Sequence, residues 1–328
     1  MTKRPRIGAL GVGWIGRHRL ERVIESGAAE VVALADASPA ALDAAAPSAP
    51  DARLVETLDD LLALDLDGLM IATPSALHAE QSVAALGCGV AVFCQKPLAR
   101  TAAETRQVVT AARAADRLLA VDLSYRHVTG VPALRDLVRG GALGDVFAAD
   151  LVFHNAYGPD KAWFYDPVRS GGGCLIDLGV HLVDLALWAL DFPAVEVVDR
   201  DLRAGGAPLA PGSVEDWVAA RLVTDRGASL RLACSWRLHA GQEAVIEASF
   251  HGTRGGASLR NVDGSFYDFV VDHHEGTTRR RLASPPDAWG GRAAVAWARR
   301  LARDPGFDPE VERAVEVARA LDQLYGRA

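Results

Sequence analysis

The chain has 328 residues, more than the roughly 250 to 300 at which a single core stops growing, so we expect two domains. Half of its residues are hydrophobic (50%) and 23% are charged, and its formal net charge of −7 excludes a chain-wide positive field for nucleic acid. We interpret the sequence as having no apolar run near the roughly 18 residues of a membrane helix. The basic start at Lys3 is not followed by the apolar core of a signal peptide. We therefore expect a cytoplasmic protein with neither a nucleic-acid nor a membrane partner.

Residues 6–123 alternate short apolar runs with helical segments. We predict strands at 6–10, 30–35, 68–72, 91–94 and 118–122, helices at 15–26, 39–46, 76–86 and 101–115, and a short segment at 58–62. This alternation is typical of a doubly wound parallel sheet, and its strands are apolar throughout because helices cover both faces. The sequence therefore predicts a first, α/β domain over residues 1–123.

The pattern changes after residue 123. A helix at 132–139 and a strand at 146–154 lead through a loop rich in Tyr and Trp to a second helix that carries Asp177. Predicted strands follow at 195–199, 215–224, 228–236, 244–251, 256–259 and 265–271, and a helix at 308–324 ends the pattern. Successive strands joined by short Gly- or Asp-containing turns indicate a mainly antiparallel sheet. We predict a second, α+β domain over residues 124–328 with a large open-faced sheet.

A glycine motif follows the first strand directly. In Gly11-x-Gly13-x-x-Gly16, the first glycine permits a tight turn, the second lets the backbone approach a pyrophosphate, and the third lets the helix pack on the strand. Asp36 ends the next strand, where a carboxylate accepts hydrogen bonds from the ribose hydroxyls and repels a 2′-phosphate. The motif predicts a dinucleotide site that favours NAD over NADP.

Three titratable residues share one face of the predicted helix after residue 174. Asp177, His181 and Asp184 have the spacing i, i+4, i+7, and their neighbours are apolar enough to bury most of the helix. A buried His beside carboxylates suits proton transfer. The set could also ligate a metal, but the region offers neither a second His nor a Cys cluster, so we predict no metal. Asp184 is interpreted mainly as structural support.

The four cysteines show no Cys-x-x-Cys spacing, which favours reduced thiols over disulfides or a structural metal. Cys174 stands inside a Gly-rich run. Its simplest interpretation is a small residue in a tight turn.

Four motifs together resemble the glucose–fructose oxidoreductase/inositol dehydrogenase (Gfo/Idh/MocA) family. They occur in the family's order and span both predicted domains: Gly11-x-Gly13-x-x-Gly16, Ala72-Thr73-Pro74-Ser75-x-x-His78, Gln95-Lys96-Pro97 and Gly172-Gly173-x-Leu175-x-Asp177-x-Gly179-x-His181. The resemblance implies a Rossmann domain and an oxidoreductase acting on sugars, cyclitols or related polyols. It also implies a homodimer or homotetramer built through the sheet of the second domain.

Carried over to this chain, the family's catalytic residues are Lys96, Asp177 and His181. His181 would accept the carbinol proton, Lys96 would stabilise the alkoxide, and Asp177 would orient the imidazole or bind a neighbouring hydroxyl. The predicted cofactor contacts are Gly11, Gly13, Trp14, Ile15, Gly16, Asp36, Thr73, Pro74, His78 and Lys96. The predicted substrate contacts are Lys96, Arg126, Asn155, Asp177 and His181.

The chain departs from the family at Gln95, where Glu is usual. A neutral amide removes a counter-charge for the Lys96 ammonium, so we expect an altered orientation or protonation of this lysine rather than loss of activity.

Several assignments stay open at this stage. Arg126 either contacts substrate or forms a salt bridge between the domains. His78, near the start of its predicted helix, either lines the nicotinamide side or is a helix-terminus histidine with no chemical role. His154 is a weaker substrate candidate than Asn155. The sequence also contains an aromatic run, Trp163-Phe164-Tyr165, which either walls a sugar pocket, anchors packing or makes a subunit contact.

Two other functions of the same fold are alternatives to a dehydrogenase. One is an NAD-dependent glycoside hydrolase, which abstracts hydride transiently and recycles its cofactor. The other is a non-catalytic NAD-binding regulator, against which the presence of Lys96, Asp177 and His181 argues.

Overall fold

The computed structural model describes residues 4–327, so Lys3 and the outer ends of the predicted domain ranges 1–123 and 124–328 lie outside the described residues. The chain divides into two compact units. The first contains the residues up to Ser124 together with Gly290–Val315, and the second contains Tyr125–Trp289 and the residues from Glu316 onward. Each unit is described separately below.

The first unit is built on a six-stranded parallel sheet with the order β3-β2-β1-β4-β5-β6. Its strands are β1 (Arg6–Leu10), β2 (Glu30–Ala35), β3 (Arg53–Val55), β4 (Gly68–Ile71), β5 (Ala91–Cys94) and β6 (Leu119–Val121). The connecting helices are α1 (Trp14–Ser26), α2 (Pro39–Ala45), α3 (Leu58–Leu62), α4 (Ser75–Gly87) and α5 (Ala102–Ala115). Every residue of β4 and β5 is buried, as expected for central strands covered on both faces. The predicted doubly wound parallel sheet is confirmed.

The second unit carries a nine-stranded sheet with the order β15-β14-β13-β12-β7-β11-β10-β8-β9. Its strands are β7 (Val146–Asn155), β8 (Val195–Ala204), β9 (Ala207–Pro208), β10 (Trp217–Thr224), β11 (Ser229–Ser235), β12 (Ala244–Gly252), β13 (Gly256–Asn261), β14 (Phe269–Glu275) and β15 (Thr278–Ala283). All neighbouring pairs are antiparallel except β7 and β11, which run parallel. The predicted large, mainly antiparallel sheet is confirmed, and β15 is an edge strand that the sequence pattern did not indicate.

Three helices of this unit precede β8: α6 (Val131–Arg139), α7 (Pro167–Ser170) and α8 (Val180–Ala189), with a π-helical turn at Leu175–Gly179 immediately before α8. All ten residues of α8 are buried. Side chains such as Leu151 and Phe153 point from one face of β7 into the same core, because alternate residues of a strand face one side. The large sheet therefore packs against α8, and this packing also holds in place the residues that precede α8.

Within the described residues, one helical stretch, Pro167–Ala189, is long and apolar enough to cross a membrane by length and composition. The prediction that no such apolar run exists is therefore wrong. The most apolar window of this stretch is 89% buried inside the structure. Its apolar character is accounted for by the core that α8 fills.

Two helices follow the large sheet in the chain. The first, α9 (Arg292–Leu301), belongs to the first unit, where Trp297 packs on Phe93 of β5 with ring centroids 5.7 Å apart. A Cβ on Gly68 would lie 2.7 Å from Leu301 and 2.8 Å from Trp297, so this glycine lets α9 approach β4. The second, α10 (Arg313–Tyr325), follows a 3₁₀ turn at Pro309–Glu312. The sequence pattern assigned residues 124–328 to one domain, whereas the structure assigns α9 to the first unit.

Candidate functional site

The glycine loop after β1 is shaped by close backbone approach. Gly11 has a φ of +83°, and a Cβ there would lie 2.6 Å from the carbonyl carbon of Ala72. A Cβ on Gly16 would lie 2.0 Å from the carbonyl oxygen of Gly11, so only glycine lets α1 begin this close to the turn. Gly13 occupies the N-cap position of α1 and provides no side-chain cap. The first amide groups of the helix therefore have no side-chain competitor for a pyrophosphate.

Asp36 is fixed at the carboxyl end of β2. Its Oδ2 accepts a hydrogen bond of 2.7 Å from the amide of Val12, and its Oδ1 accepts one of 2.8 Å from the amide of Ser38. These bonds orient a half-buried carboxylate beside the glycine loop. Trp14, the first residue of α1, is 63% exposed and stacks on His18, whereas Ile15 is half-buried.

His78 connects the loops that follow β4 and β5. One ring nitrogen lies 2.7 Å from the carbonyl oxygen of Thr73 and the other 2.7 Å from that of Pro97. The ring is buried, and this burial, opposed by the two carbonyl contacts and reinforced by the charge of Lys96, lowers the pKa of His78. Thr73 itself donates its hydroxyl to Gln81 at 2.6 Å. His78 therefore ties together the two loops that carry Thr73, Pro74 and Lys96.

The environment of Gln95 accounts for its departure from the family pattern. Its amide donates a 2.6 Å hydrogen bond to Oδ2 of Asp122, which also receives a 2.7 Å bond from Arg19. Asp122 is 1% exposed. A buried carboxylate is thus already present beside position 95, and a neutral donor there satisfies it without adding a second negative charge. Asp122 was missed by sequence reasoning because its partners lie far away along the chain.

Asp177 lies in the π-helical turn rather than in a regular α-helix, so the predicted α-helical spacing of the three titratable residues holds only from α8 onward. Its Oδ2 accepts a hydrogen bond of 3.1 Å from the indole nitrogen of Trp236. His181, in the first turn of α8, is 8% exposed. Its ring lies beside those of Tyr125, at 4.8 Å, and Phe153, at 6.2 Å. An indole donor thus fixes the carboxylate, and aromatic rings enclose the imidazole.

Asp184 accepts two hydrogen bonds from Arg126, at 2.9 Å to Nε and 2.6 Å to Nη2. The guanidinium also lies 5.5 Å from the ring of Trp188 and 5.7 Å from that of Phe192. Burial raises the pKa of Asp184, and the Arg126 charge opposes this rise. This salt bridge joins two residues of the second unit, whereas the one expected for Arg126 was a bridge between domains. The substrate contact of Arg126 stays a prediction. Asp184 has the supporting position expected of it.

The end of β7 carries two polar side chains. His154 lies 2.8 Å from the hydroxyl of Ser235 through Nδ1, and burial lowers its pKa. Asn155 Oδ1 is buried and has no hydrogen-bond partner among the described residues. A buried amide oxygen in this condition is suited to accept a hydroxyl hydrogen from a bound molecule.

The aromatic run between β7 and α7 packs behind Asp177. Trp163 and Phe164 stack with centroids 3.8 Å apart, and Phe164 and Tyr165 meet the ring of Trp236 edge-on at 6.3 and 5.7 Å. Trp236 in turn donates to Asp177. The run is therefore a packing anchor for a residue that the sequence reasoning did not select. The need of a buried indole N–H for an acceptor was the signal that could have identified Trp236.

The cysteines are free, and Cys174 and Cys234 lie close together with their sulfur atoms 3.9 Å apart. Both side chains are fully buried, and burial raises the pKa of Cys174 well above its ordinary value. Residues 4–327 contain no group of three or more His, Cys, Asp or Glu side chains that could hold a metal ion.

The parallel sheet, the glycine turn and the carboxylate at the end of β2 define a dinucleotide-binding protein. Comparison with family models identifies the relatives. Residues 5–123 match an "Oxidoreductase family, NAD-binding Rossmann fold" model, and residues 131–258 match the "GFO/IDH/MocA C-terminal domain" model. The chain belongs to the Gfo/Idh/MocA oxidoreductase family, as its four motifs predict.

Curated relatives carry the names of sugar oxidoreductases. The chain is 30% identical over 209 residues to "D-glucoside 3-dehydrogenase" of Escherichia coli K12, a match that covers 60% of each chain. It is 33% identical over 272 residues to a "Putative UDP-kanosamine synthase oxidoreductase subunit" of Amycolatopsis mediterranei, covering 78% of this chain and 75% of the relative. The chain thus spans only about three-fifths of the first relative's length.

Solved structures share the fold across both units. GenD2 from gentamicin A biosynthesis, in complex with NAD, has a TM-score of 0.82 at 24% identity and covers 100% of this chain and 95% of its own. KijD10, described as a 3-ketoreductase from Actinomadura kijaniata in complex with NADP and TDP-benzene, has a TM-score of 0.84 at 21% identity, covering 99% and 98%. At these identities the likeness shows a shared fold and nothing further.

Proposed function

We propose that the protein is an NAD(P)-dependent oxidoreductase that transfers hydride between the nicotinamide and a carbinol or ketone carbon of a sugar, cyclitol or related polyol. The observation that carries the proposal is the placement of Asp177, whose carboxylate accepts from the indole N–H of Trp236, in the turn directly before the enclosed imidazole of His181. The names of the curated relatives support the substrate class.

The residues of the first unit fit a dinucleotide. The glycine turn leaves the amides at the start of α1 without a side-chain cap, and Asp36 presents a fixed carboxylate beside them. Gly11, Gly13 and Gly16 would hold the pyrophosphate, Asp36 the adenosine ribose, and the loops that carry Thr73, Pro74 and His78 the nicotinamide half. When bound, the nicotinamide supplies the acceptor or donor of hydride.

The proposed roles of the catalytic residues follow from the charges that develop during oxidation. Loss of hydride from a carbinol requires its hydroxyl proton to leave, and His181 accepts this proton at a ring nitrogen. The ammonium of Lys96 stabilises the alkoxide character of the oxygen. Asp177, which Trp236 holds in place, orients the imidazole or binds a neighbouring hydroxyl. In reduction His181 returns the proton.

We further propose NAD as the preferred cofactor, with NADP less favoured. The Asp36 carboxylate would repel a 2′-phosphate and accept bonds from the ribose hydroxyls. The Asp36→Ala variant tests this preference through the ratio of kcat/KM for NADP to that for NAD. We expect the ratio to rise about 10-fold or more, since the change removes the repulsion, and an unchanged ratio would disprove the role of Asp36.

The experiment that tests the function measures NADH formation from NAD with a panel of inositols, aldoses, amino sugars and nitrophenyl glycosides. Reduction of NAD by one polyol that is lost in His181→Ala, but retained in the matched His239→Ala change at an exposed histidine, supports the dehydrogenase. Glycoside cleavage that needs NAD without net reduction would favour the hydrolase. NADH binding with no turnover of any compound would favour the regulator.

Location and assembly are also proposals. We propose a cytoplasmic protein that forms a homodimer or homotetramer through the sheet of the second unit. Light scattering of the purified protein, which gives the mass in solution, tests the assembly.

A further inference from the structure

The four amide groups that begin the helix before Asp177 are all bound by two residues from elsewhere in the chain. Oε1 of Glu215 accepts from the amides of Gly173, at 2.9 Å, and Leu175, at 3.0 Å. The carbonyl oxygen of Glu215 accepts from Cys174 at 2.9 Å. The hydroxyl of Tyr325 accepts from Ile176 at 3.1 Å. A helix leaves its first four amides without partners inside the helix, and here each of them has one.

The two capping residues also bind each other. The Tyr325 hydroxyl donates a 2.7 Å hydrogen bond to Oε1 of Glu215. Burial raises the pKa of Glu215, while the bonds it accepts lower it, and burial together with the charge of Glu215 raises the pKa of Tyr325 well above its ordinary value. Tyr325 therefore keeps its proton and remains the donor in this bond. A carboxylate at the start of a helix is favoured by the helix dipole.

This cap explains the glycines that precede the helix. A Cβ on Gly172 would lie 2.1 Å from the Tyr325 hydroxyl oxygen, and a Cβ on Gly173 would lie 1.8 Å from the carbonyl oxygen of Glu215. Neither position admits a side chain while Glu215 and Tyr325 occupy their places. The paired glycines are therefore the sequence counterpart of the cap rather than a site for a ligand.

The cap ends where the proposed catalytic residues begin. The amide of Asp177 makes the first bond within the helix, to the carbonyl oxygen of Gly173 at 3.1 Å, and His181 follows in the first turn of α8. Glu215 is 1% exposed and precedes β10, and Tyr325 is the last residue of α10. Displacement of the Gly173 carbonyl would therefore shift Asp177 directly.

We propose that Glu215 and Tyr325 are positioning residues, which fix the π-helical turn so that Asp177 and His181 keep their geometry for proton transfer. Neither residue is assigned to the reacting atoms. The catalytic part of this inference rests on the proposed function, whereas its structural part concerns the turn alone.

The test compares Tyr325→Phe and Glu215→Gln with two matched controls at exposed positions, Tyr267→Phe and Glu196→Gln. Hydrogen exchange of the amides at 173–176 should accelerate about 10-fold or more in Tyr325→Phe, since loss of the hydroxyl leaves the Ile176 amide unbound. The kcat should fall about 10-fold with KM for NAD unchanged. The NMR titration of the His181 ring should also shift. The controls should match the wild type in all three measurements.

Each outcome decides one of the two proposals. Wild-type exchange, kcat and His181 titration in Tyr325→Phe would overturn the positioning role. A lower melting temperature with kcat and the His181 titration unchanged would also overturn it, since the cap would then only stabilise the fold. If the wild type turns over no polyol, the proposed function fails, and the exchange and titration still decide the positioning role. If Glu215→Gln does not fold, Tyr325→Phe alone decides it, because it removes a single hydroxyl.

Discussion

Replacement of Gln95 by Glu, the residue usual at this position in the family, is expected to destabilise this chain. The amide of Gln95 donates to Asp122 at 2.6 Å, and the same carboxylate oxygen is bound by Arg19 at 2.7 Å. In Gln95→Glu, two buried carboxylates would share one guanidinium. Their oxygen atoms would lie at the distance of a hydrogen bond, so either the two negative charges repel each other or one of the carboxyl groups takes up a proton.

The expected loss of unfolding free energy equals the smaller of two costs, the repulsion between the two charges or the protonation of one carboxyl group. Repulsion between two unit charges about 3 Å apart amounts to about 5 kcal/mol at an effective dielectric constant of about 20. Protonation of one carboxyl at about pH 7, from an ordinary pKa of about 4.3, costs about 4 kcal/mol. Proton uptake is cheaper, so the variant should lose about 4 kcal/mol of unfolding free energy at neutral pH. The folded-state pKa of the introduced carboxyl is then raised, so the loss is small below about pH 4.3 and grows by about 1.4 kcal/mol per pH unit above it.

Urea unfolding of Gln95→Glu at several values between about pH 5 and 8 measures this slope. The same chemical change on an exposed helix position, Gln107→Glu, is the control, and it should change stability by less than about 0.5 kcal/mol. Adding Asp122→Asn should recover part of the loss, because a neutral amide then faces the new carboxylate. Wild-type stability of Gln95→Glu at every pH would refute the reasoning.

Three further predictions concern other contacts. Gly16→Ala should weaken NADH binding about 10-fold or more, because the added Cβ would lie 2.0 Å from a carbonyl oxygen of the preceding turn. The control Gly87→Ala, whose added Cβ would have no atom within 4 Å, should bind NADH normally. Equal NADH affinities of the two variants would contradict this prediction. Asp184→Asn should cost about 3 to 5 kcal/mol in urea unfolding, because it leaves the charge of Arg126 buried without its carboxylate, and a loss below about 1 kcal/mol would show that the pair is dispensable. Burial lowers the pKa of His78 from 6.5, so below about pH 6.5 the unfolded chain binds a proton that the folded chain does not, and stability should fall as the pH drops. This pH dependence of stability should be weaker in His78→Asn. A melting temperature of the variant with the same pH dependence as the wild type would contradict this role of His78.

The sequence was sufficient for the elements that have a strong local pattern. The apolar runs at β1, β2 and β5 were predicted at their observed bounds, and the glycine turn was placed correctly, because strand, turn and helix signals there agree. The helix α9 was not predicted. Its buried residues, such as Trp297, are mostly small alanines, and the core they enter is formed by strands far earlier in the chain.

The partners of the candidate residues could not be predicted for a related reason. Sequence spacing indicated Asp177 and His181, but it contains no information on which distant side chain meets each one. Trp236 reaches Asp177 from 59 residues away and Tyr325 reaches Ile176 from 149 residues away. Such contacts depend on the register of the large sheet and on the course of α10.

The discontinuous first unit has a consequence for dissecting the protein. A fragment that stops at Ser124 would contain all six parallel strands and the glycine loop, yet Phe93 and Gly68 would lose the helix that covers them. An apolar surface on the sheet would then face water, and such surfaces promote aggregation. A minimal cofactor-binding module would therefore need two pieces of polypeptide, one of them from beyond residue 289.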